Sequence, residues 1–415
     1  MLPPAGRCIL KVLLVITKGE TGGAQTHVLT LCRALAGRFD FTVAIGGAET
    51  ATALGDALAV LQVPVIGLPK LGNSLMPTRL FAAVRALLRV LRQVQPDVIH
   101  AHSGMAGVVA RLAGRIAGIP VLYTVHGFGF KPEAPRLQRW AAWLSELAMA
   151  PLTSHMVCVS ETERQLSRRL PIAAERVSVV FNAVGDAQPQ ALPQQVPVRI
   201  VMVARMAPPK RTDLLLQALA LLRDRLGHEV PATLIGDGPD LKLHQSLCQQ
   251  LGLQAVTFTG NVGNVAERLS QHAIFVLMSD HEGLPISVME AMQAGLAVVA
   301  SDLPGLRELI VHTQHGLLVA NQAQGLSEAL LELAAQPATR QRLGTAAQQR
   351  VIQQFTTDQM VEPTASLYVK LAMPMTETTT IPDIGLSLAS TTAQQQQRQL
   401  YWSLSGSLVL LVSYL

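Results

Sequence analysis

Cysteine is scarce in this chain of 415 residues: Cys8, Cys32, Cys158 and Cys248 are the only four. None stands in a C-x-x-C pair, so neither a disulfide framework nor a cysteine zinc site is expected, and buried thiols in a reducing cytosol are the reading. Aromatic residues make up only 4%. Abundant Ala, Leu and Val favour stacked α/β layers over a β-sandwich. No apolar run before residue 400 is long enough to span a bilayer. Residues 9–16 are apolar, but Lys11 interrupts them and no small-residue cleavage pattern follows, so they read as a first buried strand rather than a secretory signal. No G-x-G-x-x-G follows the first strand of either half, which argues against a dinucleotide-dependent oxidoreductase. Neither Asp-x-Asp nor a His/Cys cluster offers a metal site.

What is present is a repeating alternation of short apolar strands and amphipathic helices. Strands are expected at 11–16, 41–45, 63–68, 97–101, 121–125, 156–159 and 177–181, then at 198–203, 232–235, 256–259, 273–277, 297–300 and 316–319. All-apolar strands separated by helices predict parallel sheets covered on both faces. Ligands bind such sheets beyond the carboxyl ends of the strands. The segment 188–195, Gln-Pro-Gln-Ala-Leu-Pro-Gln-Gln, reads as a linker between a domain at 1–187 and one at 196–354. A helix at about 355–371 carries Phe355, Met360, Leu367 and Tyr368 at helical spacing. Residues 373–415 form a tail with low-complexity stretches at 376–380 and 394–397. Its apolar end, 403–415, is too short to span a membrane, and reads as a peripheral anchor, the start of a membrane segment or an artefact.

Charge is uneven. Residues 1–186 hold 19 Lys+Arg against 11 Asp+Glu, a net of +8, and the rest holds 14 against 17, a net of −3. Different partners are implied for the two halves. The predicted helix at 78–93 sets Arg85, Arg89 and Arg92 opposite Leu80, Val84, Leu87, Leu88 and Leu91. That arrangement can lie on anionic headgroups or can simply pack its apolar side on a sheet.

The densest stretch is 279–300. An apolar strand leads into Glu282-Gly283-Leu284-Pro285, a short helix carries Glu290, and a second apolar strand follows. Two carboxylates thus share a crevice with a helix N-terminus, whose unpaired N–H groups suit a phosphate while the carboxylates suit sugar or ribose hydroxyls. Upstream, Arg205 and Lys210 follow the first strand of the second half, where two cations suit a diphosphate. Gly22-Gly23 precedes the first helix and permits close approach of backbone to a ligand. His126 ends a strand in Thr-Val-His-Gly-Phe, and His102 ends the strand before it, where it reads as a buried, satisfied histidine. Gly236-Asp237-Gly238-Pro239 and Gly260-Asn261-Val262 read as turns at a pocket rim.

E-G-L-P-x4-E-A-M-x-A-G between two apolar strands resembles the E-x7-E signature of GT-B fold retaining glycosyltransferases, the large glycosyltransferase family 4. The segment at 205–210 resembles that family's G-R-x4-K-G element, with Ala204 and Arg211 where the glycines usually stand. Residues 104–113 followed by Thr-Val-His-Gly-Phe look most like enzymes that build polysaccharide on an undecaprenyl-diphosphate carrier. The resemblance covers about residues 10–372. It implies two Rossmann-like domains facing a cleft, with the last helix crossing back to the first. It implies transfer of a sugar from a nucleotide diphosphate to a hydroxyl with retained configuration. His126, Glu282, Arg205 and Lys210 would be catalytic. Gly22, Gly23, Gly283, Leu284, Pro285, Glu290 and Val262 would hold the donor: Glu290 the ribose, Glu282 the sugar, and the backbone near Val262 the base. A UDP-sugar is the expected co-substrate, with no metal or other cofactor. A lipid-linked glycan is the expected acceptor. The enzyme is expected in the cytoplasm, peripheral on the inner membrane face, with no nucleic-acid partner. A nucleotide-sugar epimerase on the same fold and a catalytically silent scaffold of an assembly complex are the alternative readings.

Overall fold

A computed structural model describes residues 9–73, 76–131, 135–185, 189–194 and 196–373. The expected tail from 374 onward lies outside the described residues. The first lobe runs β1 (Lys11–Ile16), α1 (Gly23–Ala34), β2 (Asp40–Gly46), α2 (Ala53–Val60), β3 (Val65–Leu68), α3 (Pro77–Val94), β4 (Val98–His102), α4 (Gly104–Ala117), β5 (Val121–Val125), α5 (Arg136–Met149), β6 (His155–Cys158), α6 (Glu161–Ser167) and β7 (Val177–Val179). The second runs β8 (Ile200–Val203), α7 (Thr212–Leu226), β9 (Ala232–Ile235), α8 (Leu241–Gln250), β10 (Val256–Gly260), α9 (Val265–Ser270), β11 (Ile274–Leu277), α10 (Ile286–Gln293), β12 (Ala297–Ser301), α11 (Pro304–Leu309), β13 (Leu317–Val319), α12 (Ala323–Ala335) and α13 (Pro337–Gln354). A last helix, α14 (Thr357–Ala372), returns to the first lobe.

The sheets are parallel, in the orders β3-β2-β1-β4-β5-β6-β7 and β10-β9-β8-β11-β12-β13. Both are doubly wound, and their order reverses between β1 and β4 and between β8 and β11. The period of two in β1 decides its packing. Val12, Leu14 and Ile16 face α1, α2 and α14, whereas Leu13 and Val15 face α3 and α4. Both sets are fully buried, which is why the strand reads as one continuous apolar run.

Each expected strand is present, with ends shifted by a few residues. At 177–181 the strand ends at Val179, and Phe181 leaves the sheet and packs on Phe355, ring centroids 5.5 Å apart. The described part of the expected linker, 189–194, is not a free tether. The Ala191 N–H donates to the Ala294 carbonyl at 2.8 Å and Arg340 Nε donates to the Pro193 carbonyl, so the segment is stitched to the second lobe.

Candidate active site

The carboxyl ends of the two sheets face one another across a cavity of about 770 Å³. Gly22, Gly23, His126, Arg205, Lys210, Val262, Glu282, Gly283, Leu284, Pro285 and Glu290 all line it, and so do Glu20, Asn182 and Asp237. The strand-order reversals place the loops after β1, β8 and β11 at this point.

One stretch of the cavity wall suits anions. Helix α1 begins after Gly22 and α10 after Pro285, and neither has a side-chain cap or an acidic residue in its first turn. Their orphan N–H groups and positive dipole ends therefore remain available to a ligand. Pro285 itself donates nothing. Arg205, half exposed, reaches across to Glu20 of the first lobe at 3.7 Å. The Lys210 ammonium pairs with the Glu282 carboxylate, and its backbone is tied to Ser279 by an isolated bridge. Arg211 turns aside, onto Asp213 at 2.8 Å and Asp280 at 3.2 Å. The loop thus keeps Lys210 inward with an arginine where the resembling family usually has glycine.

The remaining lining is uncharged or acidic. Burial with no cation beside it pushes the Glu290 carboxyl up to about 7. His126 belongs to a cluster of four imidazoles with His27, His100 and His102, neighbouring ring centroids being 4.1 to 5.4 Å apart. Burial lowers His27 to about 4 and holds the other three well below the usual histidine range. These rings stay neutral near pH 7, so His126 offers a hydrogen bond rather than a charge. Its Nε2 lies 3.2 Å from His102 Nδ1, so one of these nitrogens donates and the other accepts. His102 is buried as expected but satisfied on that side only, since its Nε2 has no hydrogen-bond partner. His100 is held by Tyr368 Oη at 2.6 Å and Thr124 Oγ1 at 2.7 Å.

Asn182 is a cavity residue that motif reading passed over. Its Nδ2 donates to the Leu284 carbonyl at 2.8 Å and its Oδ1 lies 3.0 Å from His27 Nδ1, tying α1 to the loop before α10. A polar residue directly after an apolar strand was the available signal. Gly283 is required by contact: a Cβ there would lie 2.3 Å from the His126 carbonyl oxygen, and one on Gly305 would lie 1.9 Å from that of Gly283.

The sequence matches Glycosyltransferase Family 4 over residues 21–188 and Glycosyl transferases group 1 over 186–350. Among curated relatives, the O-antigen biosynthesis glycosyltransferase WbnH of Escherichia coli is 27% identical over 309 residues, 74% of this chain and 85% of that protein. The UDP-Gal:alpha-D-GlcNAc-diphosphoundecaprenol alpha-1,3-galactosyltransferase of Escherichia coli is 25% identical over 252 residues, 56% of this chain and 65% of that protein. Among solved structures, Anabaena Alr3699/HepE in complex with UDP and glucose superposes with a TM-score of 0.75 at 21% identity, covering 87% of this chain and 99% of that one.

Gly283→Ala is expected to push the two lobes apart at His126 and lower activity by roughly a hundredfold, since misplacing a site by about 1 Å costs that much. Steady-state assay, with circular dichroism as the folding control, measures it.

Proposed function

Because the chain belongs to the GT-B glycosyltransferases, with a Family 4 first half and a group 1 second half, we propose that it moves a sugar from a nucleotide diphosphate to a hydroxyl of a lipid-linked glycan, with the anomeric configuration retained. The carrying observation is the convergence of Arg205, Lys210, Glu282, Glu290 and two uncapped helix N-termini on one cavity. A uridine donor is supported by relatives: HepE was solved with UDP-glucose, and the galactosyltransferase named above uses UDP-Gal. Its diphosphoundecaprenol acceptor supports the lipid-linked acceptor.

In this reading the donor diphosphate lies between Arg205, Lys210 and the α10 N-terminus. Negative charge grows there as the glycosidic bond breaks, and fixed donors aimed at that charge lower the barrier. These groups supply the stabilisation that a metal gives elsewhere. Lys210 shares its charge between the diphosphate and Glu282, and the Glu282 carboxylate accepts from the sugar hydroxyls. Glu290 accepts from the ribose diol, and neutral His126 hydrogen-bonds a sugar hydroxyl. Arg205→Ala and Glu282→Gln should each lower kcat/KM for a UDP-sugar by about 10²–10³, or roughly 3–4 kcal/mol of transition-state stabilisation. Wild-type transfer should persist in EDTA. Chromatography of the radiolabelled product reads both, and undiminished transfer by the two variants would overturn the assignment.

Glu290 gives the donor step a pH dependence. The carboxylate accepts from both hydroxyls of a diol, whereas the protonated acid turns one of its oxygens into a donor, and a pKa of about 7 leaves Glu290 increasingly protonated as the pH falls below neutrality. The KM for a UDP-sugar, whose diphosphate carries no group titrating near 7, should rise several-fold as the pH falls below 7 and level off above pH 8. Glu290→Gln should be weak throughout and lack this pH dependence.

An anionic membrane surface is proposed as the setting. Among the described residues no helix is long and apolar enough to cross a membrane. On α3, α4 and α5, Arg79, Arg85, Arg89, Arg92, Arg115 and Arg136 are exposed. The one acidic residue of these three helices, Glu146, is buried against Arg111 at 2.8 Å. Leu137, Trp140 and Leu144 stand exposed on α5, and Ile116 on α4. Such a face combines attraction to anionic headgroups with apolar side chains that can enter the acyl boundary. Flotation with phosphatidylglycerol vesicles should show salt-sensitive binding that Trp140→Ser with Arg85→Ser and Arg89→Ser weakens; binding only to neutral vesicles would refute the proposal.

A further inference from the structure

Lys131 has no part in the chemistry described so far. It lies in the first lobe, five residues beyond His126, and is 5% exposed. Its ammonium pairs with Glu163 of α6, whose side chain is fully buried. It also donates to the main-chain carbonyl of Glu282, in the second lobe, at 2.7 Å. The other carboxylate oxygen of Glu163 accepts the Phe128 N–H at 2.9 Å, so the same pair pins the turn that carries His126. Farther along the seam, Glu308 of α11 accepts the N–H groups of Glu161 and Thr162 at 2.7 and 2.8 Å, which holds the second lobe against the start of α6.

A buried ion pair is a poor stabiliser, because two apolar side chains of similar volume serve stability as well or better. An apolar pair cannot donate to the carbonyl of residue 282. A cation on that carbonyl also polarises the 282–283 peptide and makes the Gly283 N–H, at the cavity wall, a stronger donor. We propose that Lys131 is a positioning residue for sugar transfer: neutralised by Glu163, it fixes the Glu282–Gly283 peptide against the His126 turn, and so aims the Glu282 carboxylate at the donor sugar when the lobes are together. This rests on the donor-site reading given above.

The test replaces the pair as a unit, Lys131→Met with Glu163→Gln, so that no unpaired charge is left buried and the Phe128 N–H keeps an acceptor. Transfer by the wild-type chain, measured first, decides the donor-site reading by itself. The paired substitution should then lower kcat by about tenfold or more while equilibrium affinity for UDP changes less than about twofold. In a Glu282→Ala background the same paired substitution should change kcat by less than about twofold, because residues acting through one group are not additive. Hydrogen exchange reads the contact without catalysis: the amides of Gly283 and Leu284 should exchange faster in the paired variant while those of β11 do not. Equal kcat losses in both backgrounds, or unchanged exchange at Gly283, would overturn the proposal. So would a loss of UDP affinity that matches the loss of kcat.

Discussion

The lobes meet where a backbone lies on a backbone. At Gly283 the second lobe approaches the His126 carbonyl so closely that a methyl group has no room. The rest of the site depends on this contact. It sets the distance from the neutral imidazole to Glu282, brings the Leu284 carbonyl to Asn182, and aims the start of α10 at the start of α1. Parallel sheets make the meeting possible, since every loop leaving a carboxyl end emerges on the same side. Two such sheets set mouth to mouth bring together residues 22 and 285, which are far apart in sequence.

The electrostatics of the cleft follow from which groups have partners. Lys210 and Glu282 satisfy each other, and Arg205 rests on Glu20 over a longer distance in open solvent. Glu290 lacks a cation beside it and drifts toward its neutral form. The histidines, packed ring upon ring, cannot afford a charge. The cleft therefore gathers Arg205, Lys210 and two helix N-termini on one stretch of its wall and neutral hydrogen-bonding groups elsewhere, a division suited to a ligand that is anionic over part of its length and polar over the rest.

Much of this was legible in the chain. Short apolar strands at 12–16 and 274–277 can only be the middles of sheets covered on both faces, and the Glu282–Glu290 stretch carries its turn, its helix start and its acids in consecutive residues. The sequence concealed what depends on the third dimension. Nothing in a sequence says that Lys131, in a loop, and Glu163, on a short helix, will be sealed under the opposite lobe. His27 sits on a helix face that reads as amphipathic, and its place among three other imidazoles follows only from how α1 packs on β4 and β5. The linker expected at 188–195 shows the same limit: its prolines and glutamines signal irregular backbone, but not that the described part, 189–194, is hydrogen-bonded to the second lobe.

The last helix has a bearing on how the protein is made. Helix α14 supplies Met360, Val361, Ala365 and Tyr368 to the core of the first lobe, and Arg38 grips Glu362 across that boundary. The first lobe is therefore not a continuous stretch of polypeptide. As the chain leaves the ribosome, the strands of that lobe appear first, but the side chain that closes over His100 arrives only after the whole second lobe has been synthesised. The earlier lobe must wait with one face of its sheet incompletely covered, and the later one, continuous from β8 to α13, is free to finish first.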